Sequence, residues 1–236
     1  DVNNIKWMQL DRLKIEKNGT TGPNTVRMVS DYKFNYSNST TKRLTLLSMN
    51  QVDNQGATVA SYSFDYDQTY ELPLYDGNKS DHWGYFNDID VAYAYSPDIF
   101  NRRQPTPYKC TAGLLKKINY PTGGYTEFEW ESNDYSRVVS FNRQSMNNTS
   151  GLGGGPRIKD IKSFSAPSVL AFEKKYFYKQ NYSNTGDPNT LPSSGVLNGT
   201  PQYQLIILPP RPGAYGPNVM FSVSKTSITA EGNYSY

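Results

Sequence analysis

Apolar and polar positions alternate with a period of two through much of this chain, and helical spacing is almost absent. Tyr32, Phe34 and Tyr36 sit two apart, with Lys33 and Asn35 between them. The rhythm recurs at Tyr62, Phe64 and Tyr66 around Ser63 and Asp65, and at Phe128 and Trp130 around Glu129. Residues two apart line one face of a strand, so each run predicts a β-strand with an aromatic side and a polar side. Tyr176-Phe177-Tyr178 differs, because its middle residue is apolar, and it predicts a strand covered on both faces.

Each aromatic run follows a shorter strand-like segment. Leu13–Glu16 precedes the first, Leu44–Met49 the second, Leu115–Ile118 the third and Ile158–Ile161 the fourth. Turn residues separate the members of each pair: Asn18-Gly19, Asn54-Gln55-Gly56, Pro121-Thr122-Gly123-Gly124 and Ser165-Ala166-Pro167. These are hairpin signals. The pattern predicts an all-β fold of repeated antiparallel hairpins, forming one large curved sheet or an open barrel-like shell. The spacing is too irregular for a strict solenoid. We read residues 1–236 as a single β-rich domain and, because the chain starts at Asp1 without Met, as a piece of a longer protein.

Three segments break the rhythm. Residues 69–112 are too long for a bare hairpin loop and predict an ordered insertion, with a short helix near Pro97–Arg103. Residues 142–156, with Gly153-Gly154-Gly155, and residues 183–201, rich in Ser, Asn, Gly, Thr and Pro, predict two flexible loops. Strands resume at Tyr203–Leu208 and Val219–Thr229, and Glu231–Tyr236 reads as the start of another hairpin.

Composition narrows the function classes. The chain holds 20 Tyr, 10 Phe and 3 Trp, so aromatic rings carry much of the burial. Mean hydropathy is −0.71, and no stretch nears the roughly 18 apolar residues of a spanning helix. A dispersed net charge of +3 does not point to nucleic acid. One cysteine, Cys110, and one histidine, His82, exclude an internal disulfide framework and His- or Cys-rich metal sites.

The segment Gly113 to Glu131 resembles the bacterial YD repeat, also called the Rhs repeat. Gly113, Leu115, Pro121 and Gly123 stand where that repeat has its Gly, Leu, Pro and Gly. Phe128, Trp130 and Glu131 take the places of its Tyr, Tyr and Asp, while Tyr120 replaces an Asp. The other hairpins match in rhythm rather than in letters. With Asp81–Asn87, the chain resembles a divergent branch of large surface or secreted YD-repeat proteins. The resemblance implies hairpins added side by side into a long antiparallel sheet that encloses or displays. It implies an extracellular or cell-surface location, other repeats of the same chain as partners, and repeats that are not catalytic. Nothing here matches the autoproteolytic core of the toxin-bearing members.

The expected function is therefore a non-enzymatic structural shell or display segment. The alternative is an adhesion module that binds carbohydrate or a host or cell-surface protein through an aromatic patch. Trp83, Tyr85 and Phe86 are the candidate ligand-binding residues, because aromatic faces offer rigid contact area. Asp76, Asn78, Ser80 and Asp81 alternate oxygen donors and are the candidate ligands of a structural calcium; no other cofactor is expected. Glu127, Glu129 and Glu131 share a strand face, as a glycosidase pair could, but cross-strand Lys116 and Lys117 make them a charged solvent face. Neither nucleic acid nor membrane insertion is expected of this segment. Exposed sheet edges predict edge-to-edge self-association.

Overall fold

The structure is a computed structural model that describes residues 9–18, 26–37, 42–74, 77–90, 99–183, 185–199, 202–208, 218–224 and 228–230. Among the described residues the fold class is the one the alternation predicts: nearly all β, in an open and mainly antiparallel sheet. Strands β1 (Arg12–Asn18), β2 (Val26–Ser37), β3 (Thr45–Val52), β4 (Thr58–Tyr66), β5 (Leu115–Asn119), β6 (Tyr125–Val139), β7 (Met146–Ala166) and β8 (Val169–Lys175) pair in chain order. A short strand, β9 (Gly195–Leu197), follows. Next come β10 (Gln202–Leu208) and β11 (Asn218–Ser224), which pair with each other, and then β12 (Ile228–Ala230), which pairs with β9. Helix α1 (Ile99–Arg102) lies within the stretch where a short helix was expected.

The chain forms two compact units. The first comprises Asp1–Gly77, Ala112–Glu129 and Asp160–Lys175. Its register explains the period of two. Phe34 lies opposite Met49, Met49 opposite Tyr62, and the Tyr62 ring meets Tyr120 edge-on at 6.1 Å. On alternate positions the same strands build a polar row. Asn35 Nδ2 donates to Ser48 Oγ at 2.8 Å, Ser48 lies opposite Ser63, and Asn119 Nδ2 donates to Ser63 Oγ at 3.0 Å. Slipping any strand by one residue would exchange these rows, so each pairing fixes the next. The strand aromatics are half-buried rather than enclosed, and Val52 and Ala112 are the fully buried hydrophobics described in this unit.

Two hairpins of this unit close with the same loop. Asp53 N–H donates to Ala57 O at 2.9 Å and Gly56 N–H to Asp53 O at 3.0 Å. Likewise Tyr120 N–H donates to Gly124 O at 2.9 Å and Gly123 N–H to Tyr120 O at 3.0 Å. Gly56 and Gly123 take φ of 84° and 88°, so each loop is a tight turn followed by a left-handed glycine. At the sheet edge, the guanidinium of Arg12 grips the wholly buried Asp31 carboxylate through Nε and Nη2. The hydrogen bonds from Arg12, then its charge and those of Lys14 and Lys33, hold the Asp31 carboxyl below the usual carboxylate range.

The second unit comprises Asn78–Thr111, Trp130–Lys159 and Tyr176–Tyr236. Here β9 runs parallel to β6, with Val196 opposite Arg137 and Leu197 opposite Val138. Leu197 is the fully buried hydrophobic described in this unit. Polar side chains there pair with one another. Ser193 Oγ donates to Asp134 Oδ1 at 2.7 Å, and Gln180 Nε2 donates to Ser136 Oγ at 2.7 Å. Arg157 binds Glu131 at 2.7 Å and Asp134 at 2.8 Å, and its guanidinium lies 4.2 Å from the Tyr178 ring centre.

Three expectations are corrected. Residues 142–156 are not a loop throughout, because β7 begins at Met146 and runs through all three glycines. The stretch 183–201 includes a 3₁₀ turn (Pro188–Thr190) and β9. The fourth hairpin pairs β7 with Val169–Lys175, and Tyr176–Tyr178 follow that strand instead of forming it. The cause is the tight turn at Pro167-Ser168, where Ala166 already faces Val169. Tyr176 N–H still donates to Lys159 O at 2.9 Å. Gly19 of the first turn and the terminal Glu231–Tyr236 lie outside the described residues.

Adjacent glycines of the β5–β6 loop have opposite requirements. A Cβ on Gly123 would meet open space, whereas one on Gly124 would sit 2.6 Å from Phe164 O. Gly123→Asn is expected to fold with near wild-type stability, because Asn tolerates the left-handed region. Gly124→Ala is expected to cost about 2 kcal/mol or more, because a backbone must move. Denaturant midpoints of the two variants check the contrast.

Candidate functional site

The three aromatic candidates fall in one tight turn of the second unit. Ser80 bridges Phe86, and Asp81 N–H donates to Tyr85 O at 2.7 Å. Asp81 Oδ1 accepts the N–H groups of Trp83 and Tyr85, both at 2.9 Å. Gly84 supplies the left-handed residue, with φ of 89°. A short carboxylate capping its own following amides is a standard reason for Asp in turns. Asp81 is almost wholly buried. Burial pushes its carboxyl up, while the amides of Tyr85, Trp83 and Gly84 and the charge of Arg103 pull it back, leaving it raised.

The turn is anchored at both ends. Asn87, fully buried, donates through Nδ2 to Arg102 O at 2.9 Å and Gln104 O at 3.2 Å, and its Oδ1 accepts from Ile89 N–H at 3.1 Å. Asp88 bridges Lys109 at 2.9 Å and Lys79 at 3.1 Å. Sequence reasoning passed over Asn87. Its signal is an Asn closing an aromatic turn, which is easily read as ordinary loop composition.

The seat for this turn is the glycine run of β7. Gly153, Gly154 and Gly155 are buried. A Cβ on Gly154 would lie 2.6 Å from three Trp83 atoms, and one on Gly155 would lie 2.8 Å from Tyr85 Cζ. Asn133 Nδ2 holds Gly154 O at 2.9 Å from the neighbouring strand. Trp83 therefore spends contact surface on the strand and is half-buried, as is Phe86. Tyr85 keeps 44% of its surface accessible and is the most exposed of the three rings.

The candidate oxygen ligands are dispersed in role. Asp76 lies outside the described residues. Asn78 is exposed, Ser80 forms the bridge to Phe86, and Asp81 Oδ1 is occupied by two amides. Among the described residues, no group of three or more His, Cys, Asp or Glu side chains is placed to hold a metal.

Acid–base chemistry is also muted in the groups weighed for it. Burial, with the nearby charge of Arg103, lowers the His82 imidazole to about 4. His82 packs against Phe100 at 4.7 Å and Trp83 at 5.5 Å between ring centres. Burial pushes the Cys110 thiol up, Asp81 adds to this, and a 3.5 Å contact with Ser132 Oγ opposes it. At neutral pH both groups are uncharged, which is the opposite of an activated thiolate–imidazolium pair. In the first unit Lys117 holds Glu127 at 3.6 Å, as the cross-strand reading anticipated, and its Nζ lies 3.7 Å from the Tyr125 ring centre. In the second unit Glu131 is held by Arg157. A cleft of about 460 Å³ in the first unit, lined by Met28–Ser30, Gln51–Gln55 and Val59, has no counterpart in the sequence reading.

Two outcomes follow from this geometry. Gly154→Ala is expected to destabilise the chain, and the loss is expected to shrink in a Trp83→Ala background, because the clash needs both partners. A double-mutant cycle of denaturant midpoints reads the coupling. For His82, the fold keeps the ring neutral while the unfolded chain takes up a proton below about 6.5. Stability is thus complete above that pH and declines as pH falls toward about 4. Replacing His82 with Asn should flatten the fall in melting temperature between about pH 7 and 5. Comparison of the chain with family models, with curated proteins and with solved structures found no match.

Proposed function

We propose that the chain is a non-enzymatic structural segment, a shell or display scaffold, of a secreted or cell-surface YD-repeat protein. The observation that carries this reading is the repeated hairpin. Asp53–Ala57 and Tyr120–Gly124 close with the same hydrogen bonds and the same left-handed glycine, and both lead into aromatic strands of one sheet. The second of these is the segment whose letters resemble the repeat. The seating of Trp83 on Gly154 further supports a structural role, since that contact spends ring surface on the fold. No cofactor enters this reading.

The accessible ring of Tyr85 favours a second reading, in which the turn contacts a glycan or a cell-surface protein. A glycan array separates the two. Binding that disappears with Tyr85→Ala would favour the adhesion module, and an array without signal would favour the scaffold.

The scaffold reading is tested by imaging the protein encoded by the full reading frame by cryo-electron microscopy. The expected result is further rows of hairpins continuing the sheet described here. A self-contained domain, joined to its neighbours by linkers and present only in the cytosol, would overturn it.

A further inference from the structure

The long strands β6 and β7 meet in a hairpin whose turn is tied together by its own polar groups. Ser140 N–H donates to Ser145 O at 2.9 Å, and Arg143 N–H donates to Ser140 O at 2.8 Å. The Ser140 hydroxyl donates to Asn142 Oδ1 at 2.6 Å, and the same oxygen accepts Gln144 N–H at 3.1 Å. Ser145 N–H donates to Ser140 Oγ at 3.2 Å. The turn therefore holds a defined shape before it touches anything. Every residue from Phe141 to Ser150 is exposed, so this tip stands clear of the other described elements. Phe141, at 95%, is the most exposed large hydrophobic described, and Met146 at the start of β7 is exposed as well.

Charge along the hairpin is equally one-sided. Between Asp134 and Asp160 the chain holds Arg137, Arg143, Arg157 and Lys159 and no carboxylate. Arg157 is engaged by Glu131 and Asp134, whereas Arg143 is exposed on the turn that carries Phe141. We propose that this tip is a lipid-contacting wedge: Phe141 enters the boundary between headgroups and acyl chains of an anionic membrane, and Arg143 lies against the lipid phosphates. Size selects a membrane among anionic partners. A stable protein partner buries about 800 Å² on each side, more than a narrow convex turn can offer. Duplex nucleic acid is held by the sum of many phosphate contacts, and this tip brings few cations. A fluid headgroup layer needs no preformed pocket and closes around a single ring. The ring supplies depth and the guanidinium supplies preference for anionic lipid, the pairing of signals on which weak peripheral contacts depend. The contact is superficial and spans nothing. It rests on the hairpin and not on the shell reading, so either can fail without the other.

Flotation of the whole chain with vesicles tests the proposal. Wild type is expected to float with vesicles of mixed phosphatidylcholine and phosphatidylglycerol, and not with pure phosphatidylcholine. Phe141→Ala is expected to lower the partition coefficient about tenfold or more with melting temperature retained, because the ring packs on nothing. Arg143→Asn, which tolerates the left-handed φ of 57°, is expected to weaken binding several-fold and reduce its salt dependence. Phe172→Ala, at another exposed ring, is expected to leave binding unchanged. In a Cys110→Ser background, Phe141→Cys carrying an environment-sensitive dye is expected to shift its emission to the blue on anionic vesicles. Binding indifferent to Phe141→Ala, or a dye that stays in water on bound vesicles, would overturn the proposal. So would a chain that ignores anionic vesicles and instead binds duplex DNA or a second copy of itself through the tip.

Discussion

The backbone pairing of β6 with β7 is the constraint on which the rest of the structure hangs. These strands run for 15 and 21 residues, whereas β5 offers only five. An extended strand must satisfy its N–H and C=O groups along its whole length. In the first unit β5 meets Tyr125, Thr126 and Glu127. In the second unit β9 pairs with Arg137 and Val138 of β6. The parallel strand β9, unusual among hairpins, is explained by that demand. Gly195 allows it, because a Cβ there would lie 2.2 Å from Asp134 O.

The same pairing turns the glycine run of β7 into a surface without side chains. A turn capped by Asp81 fills that space with Trp83 and Tyr85. Packing and polar satisfaction thus act together: the carboxylate shapes the turn, the turn aims the rings, and the strand receives them. Polar pairs elsewhere work in the same sense. Asp31 with Arg12, and Asp134 with Ser193 and Arg157, are satisfied in one register only, so a slipped strand would leave buried groups without partners. Such an interior suits a sheet that buries few hydrophobics fully. Its specificity comes from alternating rows and polar contacts more than from a large apolar core.

Much of the sheet was legible in the sequence. Aromatic residues two apart located β2, β4 and β6, and Gly, Pro and Asn located the turns. Phe128 and Trp130 fell on β6, and Lys117 met Glu127 across the hairpin. The glycine run misled, because its meaning depends on a partner. A strand of Asn, Thr, Ser and Gly has weak local preference and forms here because β6 and the Trp83 turn meet it. Tyr176–Tyr178 misled in the opposite direction. They look like a strand, yet Tyr178 donates its hydroxyl to Ile158 O at 2.8 Å and supports Arg157 through its ring. Of the candidate site, the clustering of Trp83, Tyr85 and Phe86 was readable from adjacency. The division of labour among them was not, since it is set by glycines about seventy residues away in the sequence.

Native-state hydrogen exchange across residues 146–156 tests this account most directly. If pairing along β7 organises the structure, amides on both sides of Gly153–Gly155 will exchange slowly, and Trp83→Ala will speed them selectively. Exchange of these amides at the rate of an unstructured loop, unchanged by Trp83→Ala, would contradict it.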